Sequence, residues 1–196
     1  MSDVTIPDYC RMLVLASKSP RRRELLIAAG IACEVVEVDV EETVERLEPP
    51  GDHVRRLAQE KAAAGFALHP ERVVLAADTI VLVSGEIMGK PRDDGDATRM
   101  LRILSGREHE VLSGVALVSK RQTVVEVART RVWFSPLSER EIADYVASGE
   151  PRDKAGAYGI QGLGARFVDR IQGSYSNVVG LPVALVYRLL KGYPEA

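Results

Sequence analysis

Apolar residues recur along this chain in two alternating rhythms, one close to strand spacing and one close to helical spacing. Leu13-Val14-Leu15-Ala16 is an apolar run that stops at Ser17, and it predicts a strand over 12–16. Pro20 to Ala29 then predicts a helix closed by Gly30, with Ser19 as N-cap and Pro20 in the first helical position. Ala32 to Val38 predicts a second strand. An acidic connection opens at Asp39 and closes with Pro49-Pro50-Gly51. Asp52 then reads as the N-cap of a helix carrying Val54, Leu57, Ala58, Lys61 and Ala62 at helical spacing.

Arg72 to Val83 is the strongest strand signal, followed by a turn at Gly85 and a helix near 94–104. Glu110 to Val118 and Thr123 to Phe134 predict two strands around a Lys120-Arg121-Gln122 turn. Ser138 with Glu141 three residues later is a capping box opening a helix that Gly149 and Pro151 end. Phe167 to Ile171 predicts a further strand, and a helix near 183–191 closes the chain. Strands alternating with helices place the protein in the α/β class.

Composition narrows the function classes. The 196 residues are 46 % hydrophobic and 28 % charged, ordinary for a globular protein, and suffice for one large domain or two small lobes. A formal charge of −2 argues against broad attraction to nucleic acid or to a membrane surface. Cys10 and Cys33 form no CxxC pair, which leaves no zinc or disulfide framework and suggests a reducing, cytoplasmic setting. The run from Met12 to Ala16 is too short for a signal-peptide core, and no run approaches a transmembrane length.

Chemistry concentrates at a few positions. Ser17, Ser19, Lys18, Arg21, Arg22 and Arg23 crowd the opening turn of the first helix, where unpaired N–H groups and the positive dipole end favour an anion. Asp78 lies inside a dense apolar strand, and burying a carboxylate there is expensive unless it is paired or metal-bound. Because strand composition resumes at Ile80, Asp78 is expected to interrupt or bulge that strand. Lys61 falls in an alanine-rich helix, where a solvated lysine is the ordinary expectation. Lys90 sits in a tight Gly89-Lys90-Pro91 turn. Glu41 and Glu42 are acidic-loop residues, either of which would suit a divalent ion that keeps phosphate and water ligands. The stretch from Gly156 to Gly164 has neither GxGxxG nor Walker A order, and its glycines suit close approach of a ligand to backbone, with Gln161 offering donor and acceptor to a base edge. His53, His69 and His109 have no ligand or nucleophile spacing and are assigned no role.

Several of these segments, in order, resemble the Maf family of nucleotide pyrophosphatases. They are Leu15-Ala16-Ser17-Lys18-Ser19-Pro20-Arg21-Arg22, Glu60-Lys61-Ala62, Ala77-Asp78-Thr79, Gly89-Lys90-Pro91, Leu104 to His109, Asp153 to Gly162, and Val179-Gly180-Leu181-Pro182. The resemblance implies one domain over 1–196, a mixed elongated sheet with flanking helices, and two lobes around a deep nucleotide cleft, often as a homodimer. It implies hydrolysis of nucleoside triphosphates between the α and β phosphates with a divalent cation, Mg2+ or Mn2+. Asp78 would be the general base and a metal ligand with Glu42. Ser17, Arg21, Arg22, Lys61 and Lys90 would hold phosphates. Arg22, Thr79 and Gln161 match the selectivity positions of the branch that prefers dTTP and UTP, including modified pyrimidine nucleotides. The rival expectations are a nucleotide-binding regulator of septum formation or cell division with little turnover, and a purine house-cleaning enzyme.

Overall fold

A computed structural model of the protein describes residues 13–193. The strand start at Met12 and Cys10 therefore lie outside the described residues. In chain order the elements are β1 (Leu13–Ala16), α1 (Pro20–Ala28), β2 (Glu34–Val36), α2 (Pro50–Leu68), β3 (Val73–Val83), β4 (Glu86–Met88), α3 (Asp94–Leu104), β5 (Glu108–Val118), β6 (Thr123–Phe134), α4 (Glu139–Ala147), β7 (Val168–Gln172), α5 (Tyr175–Val179) and α6 (Val183–Lys191). Short 3-10 turns fill Glu150–Asp153, Ala155–Ala157 and Leu163–Phe167. The strands form a seven-stranded mixed sheet of order β2-β1-β3-β5-β6-β7, with β4 paired to β3 off that path. β1 runs parallel to β2 and β3, while β4 is antiparallel to β3, and β7 to β6.

Contacts divide the chain into two compact units, with the long strands β3, β5 and β6 shared out between them. Among the described residues the first unit comprises 13–78, 113–128 and 180–193. Here β1 and β3 bury both faces. Leu13, Leu15, Val73, Leu75 and Ala77 pack with Leu185, Val186, Leu189 and Leu190 of α6, whereas Val14, Ala16, Val74 and Ala76 pack with Ala58 and Ala62 of α2. Two glycines bring α2 unusually close to the sheet. A Cβ on Gly65 would stand 2.8 Å from the Ala16 Cβ, and one on Gly114 only 2.0 Å from the Val54 carbonyl oxygen.

The second unit comprises 79–112 and 129–179. Its core gathers Val81, Val83, Met100, Leu101, Leu104, Val132, Phe134, Tyr145, Tyr158 and Phe167. Edge-to-face contacts run from His109 through Phe134 to Tyr158, with ring centroids 4.7–5.4 Å apart.

Four local expectations change. β3 runs unbroken through Asp78 instead of bulging there. Ser19 occupies the N-cap position of α1 but makes no side-chain capping bond. α2 begins before Asp52, with Pro49 at the cap and Asp52 in the first turn. The second strand shrinks to Glu34–Val36. β4 and α5 were not foreseen. β4 is the return arm of a tight Ser84-Gly85 turn, both residues at positive φ.

Candidate active site

Strand alternation decides which way Asp78 faces. It shares parity with Val74 and Ala76, the row that packs on α2. On α2 the buried stripe is Val54, Leu57, Ala58, Lys61, Ala62 and Gly65, so Lys61 occupies a sheet-facing position within it. The two side chains meet: Lys61 Nζ donates to Asp78 Oδ1 at 2.7 Å, with only 11 % and 9 % of the side chains exposed. Lys61 also donates to Glu42 Oε1, from the connection between β2 and α2. The expectation of a solvated lysine is overturned, because the close approach of α2 seats its ammonium between two carboxylates. Of the two acidic neighbours, Glu42 is the one whose carboxylate reaches Lys61.

The end of β1 supplies the cationic side. Ser17 is buried, its N–H donating to the Val36 carbonyl at 3.1 Å. Its Oγ accepts from the Ser19 N–H at 3.1 Å and from Arg22 Nη1 at 3.3 Å. Arg22 Nε donates to the Gly180 carbonyl at 2.9 Å. Desolvation pulls the Arg22 guanidinium below its usual range, and the opposing attraction of Asp78 and Glu42 ties these groups into one electrostatic cluster. Arg21 belongs to the same first turn of α1, and its charge acts on Arg22. Ser17, Arg22, Glu42, Lys61 and Asp78 are thus brought together within the first unit.

Thr79, Lys90 and Gln161 belong to the second unit. Thr79 follows Asp78 in β3 and is half-buried. Lys90 is exposed, in a turn whose Gly89 carbonyl accepts from the Gly156 N–H at 3.0 Å, joining it to the start of the glycine-rich stretch. Gln161 is exposed in that stretch. The glycines there make room for protein groups. The Glu150 carboxylate accepts from Leu163 N–H at 2.8 Å, Gly164 N–H at 3.1 Å and the Tyr145 hydroxyl at 2.8 Å. A Cβ on Gly162 would lie 2.4 Å from Glu150 Oε2, and one on Gly164 would lie 2.8 Å from the Tyr145 hydroxyl. The loop is a turn wrapped on a carboxylate.

Sequence reasoning missed three contributors. Gly180, at φ +128°, aims the carbonyl that holds Arg22, and its signal was the Val179-Gly180-Leu181-Pro182 motif. Glu150 organises the segment carrying Gln161. Arg56 grips the connection that carries Glu42: its Nε donates to Glu48 Oε1 at 2.7 Å, and Nη2 donates to Glu48 Oε2 at 2.8 Å and to the Thr43 carbonyl at 3.0 Å. The Arg56 guanidinium holds the Glu48 carboxyl down to about 2. His53, assigned no role, is buried with Nδ1 3.0 Å from Glu48 Oε2.

For a divalent cation the donor chemistry fits in outline. Glu42 and Asp78 offer hard carboxylate oxygens within reach of one common nitrogen. Among the described residues no group of three or more His, Cys, Asp or Glu could hold a metal ion by itself. Two carboxylates are the protein share that a divalent ion takes when phosphate oxygens and water complete its shell. No helix among the described residues is long and apolar enough to cross a membrane.

Comparison with known proteins agrees with this architecture. The chain is 54 % identical over 181 residues to the dTTP/UTP pyrophosphatase of Citrifermentans bemidjiense, covering 91 % of this chain and 94 % of that one. It is 52 % identical over 183 residues to the dTTP/UTP pyrophosphatase of Bacillus cytotoxicus, covering 93 % and 96 %. Among solved structures, the Staphylococcus aureus Ham1 protein aligns with a TM-score of 0.55 at 16 % identity, over 92 % of this chain and 98 % of that one, a likeness of fold alone. The family model for Maf-like protein matches residues 12–193, and the chain belongs to that family.

Proposed function

We propose that this protein hydrolyses dTTP and UTP, and modified pyrimidine nucleotides of the same shape, between the α and β phosphates to the monophosphate and pyrophosphate. The observation that carries this reading is the Asp78–Lys61–Glu42 chain of contacts beside the Arg22–Ser17 pair at the start of α1. A helix N-terminus flanked by Arg21 and Arg22 suits the triphosphate, whose negative charge repels an attacking water. Two carboxylates next to it suit proton removal and cation binding. The names of the relatives supply the substrate class.

In this reading Asp78 accepts a proton from water while the water oxygen bonds to the α-phosphorus. The bond from that phosphorus to the bridging α–β oxygen breaks, and its electron pair leaves with pyrophosphate. Lys61, already engaged with Asp78 Oδ1, fixes the carboxylate and adds positive charge beside the departing group. Ser17, Arg21, Arg22 and Lys90 bind phosphate oxygens, and Arg22, Thr79 and Gln161 select the base. Glu42 and Asp78 would hold a Mg2+ or Mn2+ ion, which when bound supplies countercharge to the phosphates. A homodimer, on family resemblance, and a cytoplasmic setting without nucleic-acid or membrane partners, on cysteine usage and net charge, complete the reading.

Product analysis with magnesium or manganese and a panel of dTTP, UTP, CTP, GTP and 7-methyl-GTP tests it. Monophosphate plus pyrophosphate, fastest from dTTP or UTP and abolished by Asp78→Asn, is the expected result. Binding without turnover would favour the regulator instead. Fastest hydrolysis of a purine nucleotide would discard the base assignment.

A further inference from the structure

The connection from Glu37 to Pro49 has no strand or helix, yet it delivers Glu42 to Lys61. A segment of that length loses much conformational freedom when held in one shape, so something must hold it. At its start Val38 packs on the core and Asp39 pairs with Lys18, but past Glu42 its apolar side chains do not hold it: Val44 and Leu47 are 56 % and 92 % exposed. Leu47 also stands at φ +64°, a backbone setting that a branched residue adopts only under constraint. Past Glu42 the constraint comes from α2. Arg56 reaches three residues of the connection: the Thr43 carbonyl, Glu45 at 3.5 Å, and both oxygens of Glu48. Glu60, one turn along, accepts from the Arg56 Nη1 at 3.2 Å and steadies it from the helix side. His53 closes the other flank of Glu48. The clasp is well protected, with the side chains of His53, Glu48 and Arg56 only 3 %, 9 % and 23 % exposed.

We infer that Arg56 and Glu48, backed by His53, form a clasp that positions Glu42 against Lys61, making them positioning residues for hydrolysis. The fork of Arg56 matters because it spans both Glu48 oxygens and the Thr43 carbonyl at once, which a lysine ammonium cannot do. Glu42 lies one residue before Thr43, so the clasp fixes its backbone at short range. The inference rests on the reading of Glu42 as part of the reactive site.

Four variants and two readouts test it: Glu48→Gln, Glu42→Gln, their double variant, and Arg56→Lys as a milder disruption should Glu48→Gln fold poorly. Trypsin cleavage after the exposed Arg46 reports order in the connection without reference to activity. The expectation is cleavage about tenfold faster, or more, in Glu48→Gln and Arg56→Lys. kcat for dTTP should fall by roughly 10–100-fold with KM within about threefold, because a misplaced group costs rate more than affinity. The double variant should turn over no more slowly than Glu42→Gln alone, a non-additivity that general destabilisation does not produce. Unchanged cleavage, or additive losses in kcat, would overturn the clasp. If Glu42→Gln leaves kcat unchanged, the fault lies in the reading of Glu42 and the inference falls with it. If Glu42→Gln slows turnover and Glu48→Gln does not, the clasp alone is wrong.

Discussion

Lys61→Met separates the structural cost of the buried ion pair from its use. Methionine keeps the length and apolar stem of the side chain, so packing along Leu57, Ala58 and Ala62 is largely preserved. What is lost is the ammonium that Asp78 Oδ1 meets at 2.7 Å, leaving a carboxylate with 9 % exposure inside an apolar strand. Breaking one side of a buried pair costs about 3–5 kcal/mol. The half-exposed Glu42 adds little, since its side chain rehydrates readily. Asp78 is not wholly sealed, so the lower figure, about 3 kcal/mol, applies. At roughly 2–4 °C per kcal/mol for a chain of this size, Tm should fall by about 6–12 °C. Asp78→Asn should cost less, because Lys61 retains Glu42 and the amide still offers an acceptor oxygen. The double variant should recover part of the Lys61→Met loss. Thermal unfolding followed by circular dichroism at neutral pH, with urea titration for the free energy, measures all three. A Lys61→Met protein as stable as the parent would show that the ammonium does not compensate Asp78 burial, and the account of the site would fail at its base.

Gly114→Ala should destabilise by about 1–3 kcal/mol in a urea titration, since its Cβ would overlap the Val54 carbonyl at 2.0 Å and force α2 outward. It should also slow turnover, because α2 carries Lys61. Glu150→Ala leaves the Leu163 and Gly164 N–H groups and the Tyr145 hydroxyl without their acceptor. Its cost is about 1–3 kcal/mol, and amide exchange should rise at Leu163 and Gly164 without rising in α2. Burial holds His109 down to about 4, so between about 4 and 6.5 the unfolded chain binds the proton that the folded chain refuses. That contribution is complete above about 6.5 and is lost as pH falls through the window, about 3 kcal/mol in all. His109→Gln should flatten this part of the stability profile.

The sheet and most helices could be read from the sequence because burial period and capping residues agree there. Thr123–Phe134 and Val183–Lys191 coincide with their expected ranges, and the Ser138–Glu141 capping box forms in full. Asp78 misled in one respect only. A buried charge looked like a break in the strand, whereas its partner sits across the layer on α2, where no strand-local pattern records it. Lys61 carried a legible signal, since it falls in register with Val54, Leu57, Ala58 and Ala62. A lysine in the apolar stripe of a helix is either an error of phase or a buried partner, and Asp78 supplied the second half of that pair. Arg56 and Glu48 gave no such signal, because an arginine and a glutamate eight residues apart across a proline-rich boundary look like ordinary surface charge. Only the fold shows that they close on each other.

The glycines make the same division between what spacing reveals and what it hides. Read as a loop, Gly156 to Gly164 suggested backbone bared for a ligand, yet Gly159, Gly162 and Gly164 give their space to Lys154, Glu150 and Tyr145. Gly65 and Gly114 attracted no notice, although they set how near α2 lies to the sheet. That distance governs whether the Lys61 ammonium can reach Asp78, for an extra methyl at either position would meet another atom at 2.8 Å or less. Buried charged groups advertise themselves by their apolar surroundings. The residues that place them are small, and their effect depends on contacts made far along the chain. A reading of the site from its charged residues alone therefore finds the buried charges and misses the spacing on which their pairing depends.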